Sequence, residues 1–327
     1  MRALVTGASG FAGSHLCEYL LTQPGWDVYA LSFPGWPTTH LEAIRAQVVL
    51  LSGDLMVADW VERTIAEVRP DAVFHLAAQS SPWASLVDPA GTLVNNVVAQ
   101  VNLFQAILKA GLDPVVLVVG SGDEYGLVRP EEVPVDEDTP LRPANPYAVS
   151  KIAQDFLGLQ YFLSHRLRAV RVRPFNHIGP RQAPVFVTAD WARQIAEIEA
   201  GLRPPVVRVG NLQARRDFTD VRDMVRAYHL AVTLGEPGEV YNLGSGKAYA
   251  VEEVLHALLA MSRVPVKIEV DPQRLRPSDI PVIACDSTRF RRRTGWEPRI
   301  PLEESLRDIL EYWRRQVRAQ TGMGSEG

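Results

Sequence analysis

Short apolar segments alternate with longer amphipathic segments over the first half of the chain. The short segments are apolar at nearly every position, which is typical of strands that are covered on both faces of a sheet. Because such strands alternate with helices, right-handed crossovers should connect them into one parallel sheet with helices on both faces. We therefore predict the α/β class, with a doubly wound parallel sheet. The predicted strands are 3–6, 27–31, 48–51, 72–76, 115–119 and 169–173, and the predicted helices are 10–21, 60–68, 92–110 and 146–166.

The pattern changes after Pro174, where prolines, arginines and short mixed segments prevail up to Asp217. A predicted helix at 221–234 and a predicted strand at 239–243 then return to the pattern of the first half. We therefore divide the chain into a larger domain and a smaller, mixed C-terminal domain. The larger domain comprises 1–175 and 217–246, and the smaller one comprises 176–216 and 247–327. The polar residues 321–327 are predicted to form a disordered tail.

Composition and charge exclude several functional classes. The 327 residues are 46% hydrophobic and include 34 basic and 38 acidic residues, a formal net charge of -4. The chain therefore lacks the positive field that binding to nucleic acid or an anionic membrane requires. Cys17, Cys285 and the scattered histidines have no metal-site spacing, so we expect neither a bound metal nor a disulfide framework. No signal peptide or membrane span is recognisable, which predicts a cytoplasmic protein.

The first predicted strand leads directly into a loop of small residues that opens the first helix. Its glycines have the spacing GxxGxxG, which suits a tight turn, close approach of the backbone to a pyrophosphate and close packing of helix on strand. The helix N-terminus would offer unpaired N–H groups to the phosphates. This indicates a dinucleotide-binding sheet of the Rossmann type. The candidate cofactor contacts in the loop are Gly7, Ser9, Gly10, Phe11 and Gly13.

The end of the second predicted strand should select between NAD(H) and NADP(H). In this chain Ser32 stands there, in a segment without the acidic residue that would bind the ribose 2′-hydroxyl of NAD(H). An arginine for a 2′-phosphate is also missing at this place, since Arg45 lies further along the chain. We therefore expect NADP(H) as the preferred cofactor and NAD(H) as the alternative. Asp54 and Leu55 follow the third strand and are candidate adenine contacts, with a turn as the alternative role of Asp54.

A tyrosine and a lysine four residues apart are the candidate catalytic pair. Asn145 and Pro146 suit the N-cap and first position of a helix, so Tyr147 and Lys151 should share one helix face. A phenol has an ordinary pKa of about 10, and we expect the Lys151 ammonium and the helix dipole to lower the pKa of Tyr147. A tyrosine so placed can transfer a proton while a nicotinamide transfers a hydride.

The loop after the strand at 115–119 supplies the third candidate catalytic group. Ser121 would lie at the carboxyl edge of the sheet, where ligands bind in this architecture, and its hydroxyl would hold a substrate carbonyl. The alternative for Ser121 is a turn residue whose hydroxyl bonds the backbone. Asp123 is a further acid–base candidate. Acidic residues in loops, such as Asp123 and Glu124, are usually solvated.

These motifs, in this order, resemble the extended short-chain dehydrogenase/reductase family that acts on nucleotide sugars. The resemblance spans almost the whole chain. It rests on TGASGFAG at 6–13, GDL at 53–55, HLAAQ at 75–79, the Ser121 loop, the Tyr147 and Lys151 pair, RPFNHIGP at 173–180 and RDFTDVRD at 216–223. The resemblance implies that the larger domain binds the dinucleotide and that the smaller domain binds a nucleotide sugar.

The resemblance also implies further binding residues. For the cofactor these are Leu76, Ala77, Ala78, Pro174 and Lys151, and for the substrate they are Gln79, Ser121, Asn176, Val187, Arg216 and Arg276. Asn176 would touch the sugar or the diphosphate, and Val187 would line the guanine pocket. Arg216 and Arg276 would neutralise the diphosphate, to which a fork-shaped guanidinium is suited. A surface ion pair is the alternative role of each arginine, and strand-end packing is that of the alanines.

Within the family, the segments FNHIGP, FVT at 186–188 and LRPSDIP at 275–281 most resemble members that reduce a keto sugar. This implies NADPH-dependent reduction of the 4-keto group of GDP-6-deoxy-4-keto-D-mannose to GDP-D-rhamnose. GDP-mannose 4,6-dehydration stays open, because dehydratases of the family have Glu two positions before the tyrosine of the loop and this chain has Asp123. A nucleotide-sugar 4-epimerase and a non-catalytic dinucleotide-sensing module are the remaining alternatives.

The resemblance finally implies a homodimer joined by a four-helix bundle. The predicted helices at 92–110 and 146–166 have broad apolar faces that would pack either on a second copy or on the sheet. These faces contain Leu103, Phe104, Ile107, Leu108, Phe156, Leu157 and Tyr161.

Overall fold

The computed structural model describes residues 1–274 and 281–321. Its first half alternates strands with capped helices, as the apolar pattern predicts. The strands are β1 (Arg2–Thr6), β2 (Asp27–Ser32), β3 (Val49–Ser52), β4 (Ala72–His75), β5 (Val115–Val119), β6 (Arg168–Pro174), β7 (Asn176–Ile178), β8 (Val206–Val209), β9 (Arg215–Asp220), β10 (Val240–Leu243), β11 (Ala248–Ala250), β12 (Lys267–Val270) and β13 (Val282–Ile283). The helices are α1 (Phe11–Leu21), α2 (Ala58–Val68), α3 (Pro82–Val87), α4 (Pro89–Lys109), α5 (Pro146–His165), α6 (Val187–Glu199), α7 (Val221–Leu234), α8 (Val251–Ala260), α9 (Thr288–Thr294) and α10 (Leu302–Thr321).

Within the described residues, seven strands form one sheet in the order β10-β6-β5-β4-β1-β2-β3. All neighbouring strands of this sheet are parallel. The predicted doubly wound α/β fold is therefore confirmed. The chain leaves β1 in one direction for β2 and β3 and in the other for β4, β5 and β6, so a crevice opens at the carboxyl ends of β1 and β4.

Helices cover both faces of this sheet because its strands are largely apolar. On one face α1 and α7 bury Leu16, Leu20 and Tyr228. On the other face lie α2, α4 and α5, and the rings of Phe104 and Tyr161 pack there with their centroids 4.8 Å apart.

The apolar faces predicted for α4 and α5 mainly pack on the sheet. Leu103, Phe104 and Ile107 are fully buried, and Tyr161 is nearly so. The half-buried Leu108 and Leu157 belong to the same cluster. Among the seven residues proposed for a bundle, only Phe156 is exposed, so core packing is the role of the other six.

The described residues of the second half of the chain form two small sheets that the sequence analysis did not predict. In one of them β9 pairs with β7 and β13 in parallel and with β11 antiparallel, while β8 and β12 form a separate parallel pair. Around them α6, α8 and α10 bury a core that includes Trp191, Leu255 and Ile309. The strands are too short for their periodicity to be recognised. The division into domains stays a prediction, and Asp217, the start of its second large-domain segment, lies in β9.

The observed element boundaries lie within a few residues of the predicted ones. For example, α4 begins at Pro89 because Asp88 Oδ1 accepts the N–H of Gly91 and caps the helix there. Thr321, predicted to start the disordered tail, is the last residue of α10, and 322–327 lie outside the described residues. No helix in the described part of the chain is both long enough and apolar enough to span a membrane.

Candidate active site

The glycine loop turns sharply between β1 and α1 and packs on the residues after β4. Gly7 has a φ of 68°, and a Cβ at this position would lie 2.9 Å from the backbone nitrogen of Ala77. A Cβ on Gly13 would overlap the carbonyl oxygen of Gly7. Both positions therefore require glycine. Gly10 is the N-cap of α1 and offers no side chain to its first N–H groups, so the N–H of Phe11 and its successors can face an anion.

Two serine hydroxyls meet where the adenosine end of a dinucleotide would lie. Ser9 Oγ and Ser32 Oγ are 2.6 Å apart and buried. His40 Nδ1 lies 3.2 Å from the carbonyl oxygen of Ser9. The segment 32–41 contains no acidic residue, so no carboxylate of that segment would repel a 2′-phosphate. This end of the crevice therefore suits NADP(H).

The candidate adenine contacts follow β3 directly. Asp54 Oδ1 accepts the N–H of Met56 at 2.8 Å, so the residue has its alternative role in a turn. Leu55 is buried, and its carbonyl oxygen accepts a hydrogen bond from Asn102 at 2.8 Å. Contact of Asp54 and Leu55 with adenine stays a prediction.

Ser121, Asp123 and Tyr147 converge at the carboxyl end of β5. Tyr147 lies in the first turn of α5, which Asn145 caps by accepting the N–H of Ala148 at 2.8 Å, as predicted. The hydroxyl groups of Tyr147 and Ser121 share a hydrogen bond, and the charge of Asp123 acts on the same phenol. Ser121 Oγ also accepts the N–H of Asp123 at 3.1 Å. Ser121 is thus a turn residue and a neighbour of Tyr147 at once.

Lys151 lies one helical turn after Tyr147 and is 4% exposed. Its Nζ is 5.9 Å from the centroid of the Tyr147 ring and donates to Val119 O and Gln154 Oε1, each at 2.9 Å. Burial lowers the pKa of Lys151 to about 8, and the charge of Glu124 opposes this. The ammonium group is therefore fixed beside the phenol by two acceptors.

The sequence analysis predicts that Lys151 and the helix dipole lower the pKa of Tyr147, and this prediction is wrong. Burial, followed by the charge of Asp123, raises the pKa of Tyr147 above its ordinary value, and the hydrogen bond with Ser121 opposes the rise. Sequence spacing places Lys151 near Tyr147 but does not show how deeply both are buried, and here desolvation of a phenolate has the larger effect. At neutral pH the phenol therefore keeps its proton.

Polar contacts connect the catalytic helix to the strand that carries the glycine loop. Gln154 Nε2 lies 3.4 Å from His75 Nε2, and His75 Nδ1 lies 3.0 Å from Thr6 Oγ1. Thr6 Oγ1 accepts the N–H of Ala77 at 3.1 Å. Burial, and then the charge of Lys151, lowers the pKa of His75 to about 3, so its ring is neutral. The sequence analysis missed Gln154, although its spacing of three from Lys151 places both on one helix face.

The other residues predicted to bind the cofactor lie at strand ends. Leu76, Ala77 and Ala78 directly follow β4 and are half-buried, and Pro174 ends β6. Phe11, at the start of α1, stacks on His177 with ring centroids 5.8 Å apart and an interplanar angle of 7°. This stacking joins the glycine loop to the segment that follows β6.

The residues predicted to bind the substrate are more exposed than the catalytic ones. Asn176 is exposed in β7, and Val187, the first residue of α6, is 38% exposed. Arg216 is half-buried in β9, and its Nη1 donates to the carbonyl oxygen of Arg215 at 3.0 Å. Binding of the substrate by these residues stays a prediction.

Two further predicted substrate contacts differ from this group. The Gln79 amide is engaged in its own turn, where Oε1 accepts the N–H of Ser81 at 2.6 Å and Nε2 donates to Ser81 O at 3.0 Å. The backbone N–H of Gln79 donates to Asn96 Oδ1 on α4 at 2.7 Å. Arg276 lies outside the described residues.

A buried ionic cluster behind the Ser121 loop was missed by the sequence analysis. Glu124 was expected to be solvated, but it is fully buried and lies beside Arg173 of β6 and Asp155 of α5. Arg171 Nη1 also donates to Asp155, at 2.7 Å. A signal was present, since Asp155 follows Lys151 by four residues and Arg171 and Arg173 interrupt an otherwise apolar strand.

The residues at the crevice fit a nicotinamide dinucleotide. Gly7 and Gly13 form a cradle that a Cβ would fill, at the N-terminus of α1, where backbone N–H groups would hold a pyrophosphate. Ser9 and Ser32 would hold the adenosine ribose and its 2′-phosphate. Lys151 stands at the opposite, catalytic end of the same edge of the sheet.

Known proteins are similar to this chain over nearly its full length. The protein family described as GDP-mannose 4,6 dehydratase matches residues 4–309. The chain is 38% identical to the GDP-6-deoxy-D-mannose reductase of Pseudomonas aeruginosa, across 98% of this chain and 99% of that one. It is 32% identical to the UDP-glucose 4-epimerase of Mycolicibacterium smegmatis, across 97% of this chain and 99% of that one.

A solved structure shares the fold as well. The structure of RMD from Pseudomonas aeruginosa complexed with NADPH is 36% identical to this chain, with a TM-score of 0.84. The match covers 96% of this chain and 99% of that one.

Proposed function

Because the chain belongs to the GDP-mannose 4,6 dehydratase family, we propose that it reduces the 4-keto group of GDP-6-deoxy-4-keto-D-mannose with NADPH and produces GDP-D-rhamnose. The observation that carries this proposal is the hydrogen-bonded pair of Ser121 and Tyr147 with Lys151 beside it. The Pseudomonas aeruginosa reductase supports the substrate, and the structure complexed with NADPH supports the cofactor.

Each of the three side chains has one task in this reduction. NADPH, when bound, supplies a hydride to C4 of the keto sugar. The Ser121 hydroxyl donates a hydrogen bond to the 4-keto oxygen, and the Tyr147 phenol gives its proton to the same oxygen as negative charge develops there. The Lys151 ammonium, held by Val119 and Gln154, then stabilises the phenolate that remains.

The electrostatics of Tyr147 suit a proton donor. Burial and the charge of Asp123 keep the pKa of Tyr147 above its ordinary value, so the phenol enters the reaction protonated. A reductase needs this form, whereas oxidation of an alcohol would need the phenolate.

On the substrate side, four residues would recognise the GDP part. The Arg216 guanidinium would neutralise the diphosphate, together with Arg276. Asn176 would bind the sugar or the diphosphate, and Val187 would contact the guanine. The exposure of Asn176 and Val187 supports this role, because it leaves both side chains accessible to a substrate.

The absorbance of the nicotinamide tests the proposal. Protein mixed with NADPH and the keto-sugar nucleotide should consume both in equal amounts. NADH should react more slowly, because only NADPH offers Ser9 and Ser32 a 2′-phosphate. An absorbance that stays constant with both cofactors would refute the reductase.

Dehydration is the second candidate, favoured by the position of Asp123 beside Tyr147. A dehydratase would convert GDP-mannose without net consumption of a reductant. Asp123→Asn should abolish such a reaction but leave keto-sugar reduction within about threefold, since reduction requires no carboxylate for elimination. Conversion of GDP-mannose by the wild type would make dehydration the function.

Two further alternatives give different results in the same assays. An epimerase, which the relative from Mycolicibacterium smegmatis suggests, would invert C4 of a nucleotide sugar without net loss of reductant. A dinucleotide-sensing module would bind NADPH and turn over none of these substrates.

For the assembly of the protein, we propose a homodimer in which α4 and α5 of the two copies form a four-helix bundle. On α5, Val149, Phe156 and Leu163 recur every seven residues and are all exposed. On α4, Val94 and Val98 are exposed at a spacing of four. Both spacings place apolar residues along one helix side, and a second copy would cover the resulting stripe.

Sedimentation measures this assembly. The wild type should sediment as a dimer, and Phe156→Arg should sediment as a monomer because it places a charge in the stripe. Exchange of Lys109→Arg, a conservative change at an exposed residue of α4, should leave the dimer intact. A monomeric wild type would refute the bundle.

A cytoplasmic location is also proposed. Cys17 and Cys285 are buried free thiols, which suits a reducing compartment. Cell fractionation should recover the protein with cytosolic marker enzymes, and recovery outside the cytoplasm would contradict this proposal.

A further inference from the structure

Glu124 is a buried acid for which the reduction has no direct use. It follows Asp123 in the loop after β5 but is 0% exposed, whereas Asp123 is half-buried. Burying a carboxyl group without partners is costly, so the contacts of this one indicate what holds it there.

One oxygen of Glu124 holds the backbone of the catalytic serine. Glu124 Oε1 accepts the N–H of Ser121 at 2.7 Å. In return, Ser121 Oγ accepts the N–H of Asp123 at 3.1 Å. The two hydrogen bonds form a capping box at the N-terminal end of the short 3-10 helix Gly122–Tyr125, so a shift of the Ser121 backbone would break the bond to Glu124.

The other oxygen of Glu124 is anchored to the helix that carries the catalytic pair. Glu124 Oε2 lies 3.2 Å from Arg173 Nε, and the carboxyl group of Glu124 also interacts with that of Asp155 on α5. Arg173 is itself fixed, because its Nε and Nη2 donate to Asp155 Oδ2 at 2.8 and 2.6 Å. Asp155 lies four residues after Lys151, so Glu124 connects the Ser121 loop to the turn of α5 that presents the ammonium.

The protonation of Glu124 follows from these neighbours. Burial, and then the charge of Asp155, raises the pKa of Glu124 well above its ordinary value. A neutral Glu124 can donate its proton to Asp155 while its carbonyl oxygen accepts the N–H of Ser121. A glutamine side chain has the shape of a protonated glutamate and likewise offers one hydrogen-bond acceptor and a donor. A leucine side chain offers no donor and no acceptor.

We propose that Glu124 is a positioning residue that holds the Ser121 hydroxyl at the 4-keto oxygen by fixing the Ser121 backbone to α5. This proposal rests on the proposed reduction. It predicts that loss of the carboxyl group acts on the rate through Ser121 and leaves the binding of NADPH unchanged.

The decisive experiment is a double-mutant cycle on kcat for the reduction. Glu124→Leu should lower kcat about tenfold or more with a much smaller change of KM, since a small displacement of a catalytic group is costly. In the Ser121→Ala background the same exchange should change kcat by less than about twofold, because no hydroxyl remains to be placed. Equal losses of kcat in both backgrounds would overturn the proposal.

Two matched variants complete the experiment. Glu124→Gln should retain kcat within about twofold, because it keeps both hydrogen bonds. Glu199→Leu removes another glutamate, whose side chain is 8% exposed, accepts the N–H of Arg263 and pairs with Arg314 at the far end of α6. It should lower the melting temperature and leave kcat unchanged. A loss of kcat in Glu124→Gln as large as that in Glu124→Leu would contradict the proposal.

Hydrogen exchange of the wild-type protein tests the contact between Glu124 and the Ser121 N–H directly. Its result depends neither on whether a variant folds nor on which reaction the protein catalyses. The Ser121 N–H should be protected like the amides of β5. Exchange as fast as in an exposed loop would overturn the role of Glu124 even if the protein is a reductase. Protection of Ser121 in a protein that reduces no keto sugar would refute the proposed function and leave the contact valid.

Discussion

The two halves of the candidate site differ in how deeply their polar side chains are buried. On the large sheet, Tyr147 and Lys151 are 8% and 4% exposed, and each of them has hydrogen-bond partners within the chain. On the small sheet and its flank, Val187 and Asn176 are exposed and Arg216 is half-buried. The groups proposed for chemistry are therefore fixed before a substrate arrives, whereas those proposed for recognition are more exposed to solvent. We expect changes of the buried catalytic side chains to affect kcat, and changes of the more exposed recognition residues to affect KM for the sugar nucleotide.

The largest expected effect is that of Tyr147→Phe, which removes only the hydroxyl from the buried half. Without a proton donor, kcat should fall by about 10³-fold. NADPH should bind as before in a fluorescence titration, because the ring and Lys151 remain. Retention of kcat within threefold would show that Tyr147 is not the donor.

Gly13→Ala should have the next largest effect, and it changes the cofactor cradle on the same sheet. Its Cβ would overlap the carbonyl oxygen of Gly7, so the loop must shift and the affinity for NADPH should fall at least tenfold. Calorimetry measures this loss.

Gly25→Ala is the control for this variant. Gly25 has a φ of 79° with no atom within 4 Å of a Cβ, so alanine there strains the backbone by about 1 kcal/mol without touching the loop. It should lower stability but not affinity. Equal affinities of Gly13→Ala and the wild type would show that the cradle does not bind the cofactor.

On the recognition half, Arg216→Lys should raise KM for the sugar nucleotide about tenfold and leave kcat within twofold. Lysine keeps the charge but loses the fork that can bind two diphosphate oxygens. Arg215→Lys is the matched control, because the neighbouring position faces the other side of β9. If Arg216→Lys lowers only kcat, or if Arg216→Lys and Arg215→Lys change KM equally, the separation into a catalytic and a recognition half is wrong.

The smallest effect concerns pH on the buried half. Burial lowers the pKa of Lys151 to about 8, so half of the ammonium is lost at that pH and kcat should be halved. With each further pH unit the protonated fraction of Lys151 falls about tenfold, so activity falls as pH rises. A pH profile of kcat measures this limb. In Lys151→Arg, whose guanidinium does not titrate in this range, the residual activity should show no decline near pH 8.

The large sheet and its catalytic side chains were predictable because their signals are local. Apolar runs give the strands, GxxGxxG gives the loop, and the spacing of Tyr147 and Lys151 gives a shared helix face. These signals need only neighbouring residues, so the strands and helices of the parallel sheet could be predicted from the chain itself.

What could not be predicted depends on contacts between distant segments. Glu124 looks like a solvated loop acid until β6 brings Arg173 beside it, and the pKa of Tyr147 depends on burial that no spacing reveals. The small-sheet strands have two to six residues, and three of them, β7, β11 and β13, are ordered by pairing with β9. The sequence analysis also gave Leu103 and its neighbours two roles, and only the packing of α4 on the sheet separates them.

The last strand to join the large sheet has a consequence for synthesis of the protein. Strand β10 pairs with β6 through Val240 and Arg171, and the small-sheet strands β7, β8 and β9 lie between these two residues in the chain. Until the ribosome has released Leu243, one side of β6 has unpaired backbone groups, although the rest of the parallel sheet is already available. The large sheet can therefore be completed only when nearly three quarters of the chain has been translated. From the synthesis of β6 until then, its open edge must be kept from pairing with neighbouring nascent chains.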